Sequence, residues 1–166
     1  LMMIDEVVKH AHKTNRIKTY RPLLSPEVYS LFDTEKTDCT TLANMLQHEF
    51  SIQIKGRTDC SIESYLELET IPNGIPCKTK PEKELIFSLF VDYQKMLQVQ
   101  GNFDVDDVTI EAISHLNAPI WRRKRQIEGY DYILADEMHL FNLNEQSVFH
   151  FLSKDMSTRN IPLCFA

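Results

Sequence analysis

The chain has 166 residues and a net charge of −6, with 43% hydrophobic and 25% charged residues. That length allows one domain, or one and a fraction, around a real core, and that composition excludes a disordered chain. The negative balance argues against a whole-surface nucleic-acid binder but leaves room for a local basic patch.

Ile4, Val7, Val8 and Ala11 recur at helical spacing and predict a first amphipathic helix. Ser25-Pro26 reads as a helix start, a capping oxygen followed by Pro at the first helical position, with Val28, Leu31 and Phe32 as its apolar side. Leu42, Met45, Leu46 and Phe50 mark another helix, and the alternating stretch after it, Phe50 to Gly56, reads as a short strand. Pro72, Gly74, Pro76 and Pro81 make Thr70 to Pro81 the best linker in the chain.

Beyond it, Leu85, Ile86, Leu89, Phe90, Tyr93, Met96 and Leu97 form one helical face that stops at Gly101. Val108, Ala112, Ile113 and Leu116 form a second stripe, with acids at its start where the helix dipole favours them. After Ala118-Pro119 a third helical segment carries the only Trp, Trp121, and the basic run Arg122, Arg123, Lys124 and Arg125. Tyr132 to Ala135 then reads as a buried strand, with Tyr130 and Tyr132 packing at alternate positions. Asn142 and Glu145 have capping-box spacing for a helix through Val148, Phe149 and Leu152. The final "IPLCFA" reads as a second strand with Pro162 near its start. Strand, helix, strand in this order implies a parallel βαβ unit.

No apolar run approaches the roughly 18 residues of a membrane helix, so no membrane partner is expected. Cys39, Cys60, Cys77 and Cys164 lie far apart without a C-x-x-C pair and read as free thiols of a cytoplasmic protein. His10 and His12 stand two apart, so on a helix they face away from each other and make no ligand pair.

The chemistry gathers where the first strand ends on two adjacent acids, Asp136 and Glu137. Open α/β sheets bind ligands at the carboxyl ends of their strands. Four apolar or aromatic residues followed by Asp-Glu is the Walker B pattern of nucleotide hydrolases. There the first acid holds Mg²⁺, which takes carboxylate and phosphate oxygens and keeps several waters. The second acid activates the attacking water, a role worth roughly 10²–10⁴ in rate. The alternative, a phosphoacceptor strand with Asp106 and Asp107 as its acidic pair, fails because those acids lie too few residues upstream and follow no buried strand.

From about Leu85 onward, the segments "FVDYQKMLQVQGNFDVDDVTIEAISHL", "YDYILADEMHLFNLNEQSVFHFL" and "IPLCFA" resemble, in order and spacing, superfamily 1 helicases of the UvrD/Rep type. The resemblance implies an α-rich α/β fold, a helical insertion domain plus part of a RecA-like P-loop NTPase parallel sheet. Residues 1–80 would be an N-terminal helical region, 81–128 the helices before Walker B, and 129–166 a partial RecA-like core. It further implies Asp136 as the magnesium ligand, Glu137 as the catalytic base, and ATP with Mg²⁺ as cofactors of the complete protein. His139 and Leu140 stand where the family has Gln and Asp, and His139 keeps a donor for sensing phosphate.

The chain holds no G-x-x-x-x-G-K-[ST] phosphate loop. With a stop at Ala166, where the family's next strand is just finishing, this reads as an internal fragment, inactive without the rest of the helicase chain; the opening on Leu1 ahead of Met2 and Met3 is either a tag remnant or a further mark of such a piece. Its expected partner is single-stranded or partly duplex DNA, touched by the basic run 122–125 through phosphate contacts. Two alternatives stand beside this: a non-catalytic helicase-like module binding DNA or protein, and an unrelated helical interaction domain with a chance Asp-Glu pair.

Overall fold

In this computed structural model, residues 2–33, 37–58, 60–71, 74–154 and 163–165 are described, the last three in backbone only. They are helix-rich and pack as two compact units, residues 1–54 with 58–103, and residues 55–57 with 104–166. The division follows neither of the expected limits at 80 and 128. Residues 70–81 do not separate units, because Ile75 and Cys77 are buried in the core of the first.

In the first unit, α1 (Met2–Lys13) buries Ile4, Val7, Val8 and Ala11, the stripe its spacing predicts. It is followed by α2 (Arg16–Tyr20) and then α3 (Pro26–Leu31), which starts where the Ser25 hydroxyl accepts from the Val28 N–H. Next come α4 (Cys39–His48) and α5 (Ile62–Glu67). The predicted strand from Phe50 to Gly56 is not one: Glu49–Lys55 is a π-helix continuing α4. Glu49, Phe50, Gln53 and Ile54 are buried together there, a helical face that overrides the local alternation.

The long helix α6 (Lys80–Gln100) buries Leu85, Ile86, Leu89, Phe90 and Leu97. Phe50 packs against Phe90 and Tyr93, with centroids 5.5 Å apart in each pair. The helix begins where the Glu82 carboxylate takes the Lys78 and Thr79 N–H groups at 2.8 and 2.9 Å. It ends at Gly101, whose φ of +66° is the left-handed closing turn, with the Asn102 N–H returning to the Leu97 carbonyl.

In the second unit, α7 (Val105–Leu116) is capped by Asp104, whose carboxylate accepts from the Asp106 N–H at 3.0 Å. Ala112, Ile113 and Leu116 are half-buried, but Val108 of the predicted stripe is exposed. The basic helix α8 (Pro119–Glu128) leads to β1 (Ile133–Ala135), and α9 (Leu143–Leu152) opens with the Asn142–Glu145 capping box. β2 (Leu163–Phe165) pairs with β1 in parallel, Ile133 opposite Leu163 and Ala135 opposite Phe165.

Among the described residues these three-residue strands are the whole of the sheet, so beyond the parallel β1–β2 pair the structure does not support the expected RecA-like sheet. The strand is not buried as predicted, since Leu134 is exposed, and Tyr130 and Tyr132 do not pack, since both rings are exposed. Pro162 lies outside the described residues. None of the described helices is long and apolar enough to cross a membrane.

Candidate functional site

Asp136 and Glu137 follow β1 directly and are both exposed, at the carboxyl end of the parallel pair. Glu137 has a φ of +56°, the left-handed region that costs a non-glycine residue roughly 1–2 kcal/mol. The Glu137 N–H donates to Asp136 Oδ1 at 2.8 Å, a local bond that helps hold this turn. The chain then winds through a short 3₁₀ turn, Met138–Leu140, in which the Leu140 N–H reaches the Glu137 carbonyl at 2.9 Å. Met138 is buried and anchors the turn, while Asp136, Glu137 and His139 point outward. His139 Nδ1 lies 3.2 Å from Glu137 Oε2, so the two residues form one exposed pair.

Behind this tip stands α9. Gln146 Nε2 donates to the Phe141 carbonyl at 2.9 Å and to the Met138 carbonyl at 3.2 Å, and Phe141 packs edge-on against Phe149. A metal would find at most two carboxylates here, since no group of three or more metal-ligating side chains occurs among the described residues. That donor set suits Mg²⁺, which is held by one or two carboxylates with phosphate oxygens and waters completing its shell. It does not suit an ion that needs a protein cage.

The basic run divides. Arg122, Arg123 and Lys124 are exposed, with Lys124 3.7 Å from Glu128 one turn on. Arg125 is 4% exposed, and its guanidinium binds the carbonyls of Ser153 and His150 and the Ser153 hydroxyl. It holds the C-terminal end of α9 and is not free to meet a phosphate, contrary to the expectation for all four residues. Trp121, one turn earlier, is half-buried and donates its indole N–H to the Phe151 carbonyl at 2.8 Å. The one-turn spacing of Trp121 and Arg125 was the signal that both face α9.

Sequence reasoning also missed Lys55. Its side chain is fully buried, with Nζ 2.7 Å from Asp107 and 3.1 Å from Asp104. The two acids were legible as helix-start residues, but no local pattern announces a lysine so far upstream as their partner. No family model matches this chain, and neither any curated protein nor any solved structure matches it.

Proposed function

We propose that this chain is the Walker B portion of a UvrD/Rep-like DNA helicase, coupling ATP hydrolysis to movement along single-stranded DNA. The observation that carries this reading is the exposed Asp136-Glu137 pair at the carboxyl end of β1, in parallel register with β2 and followed by the capped helix α9. In the complete protein Asp136 would hold Mg²⁺ with ATP bound, and Glu137 would take the proton of the attacking water. His139, beside Glu137, donates toward the phosphate. A phosphate loop on the rest of the helicase chain completes the site, within a RecA-like sheet that β1 and β2 join. Glu137, like Asn15 and Cys60, lies in the left-handed region, and such residues cluster at active sites, which accords with the reading. Arg122, Arg123 and Lys124 are exposed cations that α8 offers to the DNA backbone.

The test is Glu137→Gln in a protein joining this chain to its phosphate loop. ATP turnover falls at least about 100-fold while ATP binding persists. Turnover retained in that variant removes Glu137 as the base. The second reading, a non-catalytic helicase-like module binding DNA or protein, is favoured by the same exposed cations together with Leu140 in place of the family's Asp. It predicts DNA binding that weakens in Arg122→Ala and Arg123→Ala, with no turnover in any variant.

A further inference from the structure

The acid-bearing turn is tied to side chains far away in sequence. The buried Lys55 ammonium contacts Asp104 and Asp107, the cap and third residue of α7. Between them the buried Asp106 accepts at Oδ1 from Asn142 Nδ2 at 2.8 Å. Asn142 is the cap of α9, accepting from the Glu145 N–H at 2.9 Å and giving its own N–H to the Glu145 carboxylate at 2.7 Å. The carbonyl of Lys55 in turn accepts from the Asn144 side chain. Lys55 therefore holds the starts of both helices, with its ammonium on α7 and its carbonyl on α9. Within the first turn of α9, Gln146 grips the Met138 and Phe141 carbonyls at the two sides of the turn behind Glu137.

Capping alone does not require the lysine. Asp104 already accepts from the Asp106 N–H, and an apolar residue would fill the space without burying a charge. A buried ammonium held by two carboxylates instead favours one arrangement of the groups around it, as buried ion pairs do in some proteins.

We propose that Lys55 is a positioning residue for the Asp136-Glu137 turn, acting through the start of α7 and the cap of α9. Calling that turn catalytic rests on the ATPase reading; the mechanical linkage does not.

The test is amide hydrogen exchange on this chain without nucleotide, comparing the Leu140 and Phe141 amides with those of α8. Asn142→Asp keeps a good helix cap and its box with Glu145 but loses the donation to Asp106 and faces it with like charge. Exchange at Leu140 and Phe141 rises about tenfold or more in Asn142→Asp and in Lys55→Met, while α8 changes by less than about twofold, and the His139 ring resonances shift. Unchanged turn amides, or a uniform rise across α8 as well, overturn the proposal. Should Lys55→Met fail to fold, Asp107→Asn, which keeps an acceptor for the Asp104 N–H but removes one carboxylate from the ammonium, decides in its place. In an ATP-hydrolysing protein containing this chain, both variants lower kcat and leave the KM for ATP unchanged. A protein with no turnover but loosened turn amides refutes the ATPase reading alone, and active protein with rigid amides in the variants refutes the linkage alone.

Discussion

Arg125 sits against Ser153, its Nη2 3.0 Å from the serine hydroxyl and its Nε donating to the carbonyl of the same residue. The same guanidinium takes the His150 carbonyl, so one buried cation satisfies the end of α9 and fixes α8 beside it. The neighbouring Tyr130 N–H donates to the Leu152 carbonyl at 2.9 Å, and the Lys154 N–H returns to Tyr130 at 2.9 Å. The approach to β1 therefore depends on this latch.

Arg125→Ala is expected to destabilise the chain by about 3 kcal/mol, because it leaves buried carbonyls and a hydroxyl without a donor. Arg122→Ala and Arg123→Ala, on the exposed side, stay within about 0.5 kcal/mol. Urea unfolding of the three variants checks this. Equal, small losses in all three would refute the latch.

Gly129 is required for space rather than for backbone freedom. A Cβ there would lie 2.5 Å from the Arg125 carbonyl and 3.0 Å from the Leu152 carbonyl, both main-chain atoms that cannot swing aside. Gly129→Ala should cost about 1–3 kcal/mol through overpacking and loosen the entry to β1. Gly101 is the opposite case. Its surroundings are open, and only its φ of +66° resists a side chain, so Gly101→Ala costs about 1 kcal/mol. Thermal unfolding should rank the two in that order.

Two carboxylates in the first unit give stability opposite dependences on pH. Burial would raise Glu82, but hydrogen bonds from the Ser25 hydroxyl and from the N–H groups of Ser25, Lys78 and Thr79 outweigh it and hold the group at about 2. A depressed carboxyl stabilises the fold above its unfolded value near 4.5, and that contribution is lost as pH falls from about 5 to about 2. Glu49 is raised instead, by burial, against the opposing hydrogen bonds from Tyr65 and the Ile75 backbone and the charges of His48 and Lys83. Its protonated form is favoured by folding, so its contribution fades as pH rises above the ordinary carboxylate range. Glu82→Gln should flatten the acid limb of stability against pH, and Glu49→Gln the rise of instability toward neutral pH. Chemical denaturation from pH 3 to 8 measures both, and identical profiles in the variants and the parent would refute the assignment.

Cysteine reactivity should separate cleanly. Burial pushes the Cys77 thiol up to about 12, and the charges of Glu49 and Glu82 push it the same way against that of Lys83. Cys39 is exposed. Since the thiolate is the reactive form, a maleimide at pH 7 should label Cys39 within minutes and leave Cys77 untouched until the chain unfolds. Mass spectrometry of the labelled peptides checks it. Labelling of Cys77 in folded protein would show that the core around Glu49 opens.

Much of the local architecture was legible in the residues alone. The stripe of α1, the Ser25-Pro26 start, the Gly101 stop and the Asn142–Glu145 box each act within one or two turns, so neighbours in sequence carry all the information they need. The acids following β1 were legible for the same reason. Partners far away in sequence decided the rest. Phe50 to Lys55 alternates like a strand, yet packing against Phe90 and Tyr93 favours a π-helix. The Pro- and Gly-rich stretch reads as a linker until Ile75 and Cys77 find a core to enter. A run of four cations looks uniform until α9 offers carbonyls to one of them, Arg125. Lys55 gains its place only when α7 and α9 bring Asp104, Asp107 and Asn144 around it. Local pattern says which side chains suit a helix or a turn, and only the assembled chain settles which charges leave water, because that depends on the partners available to pair with them.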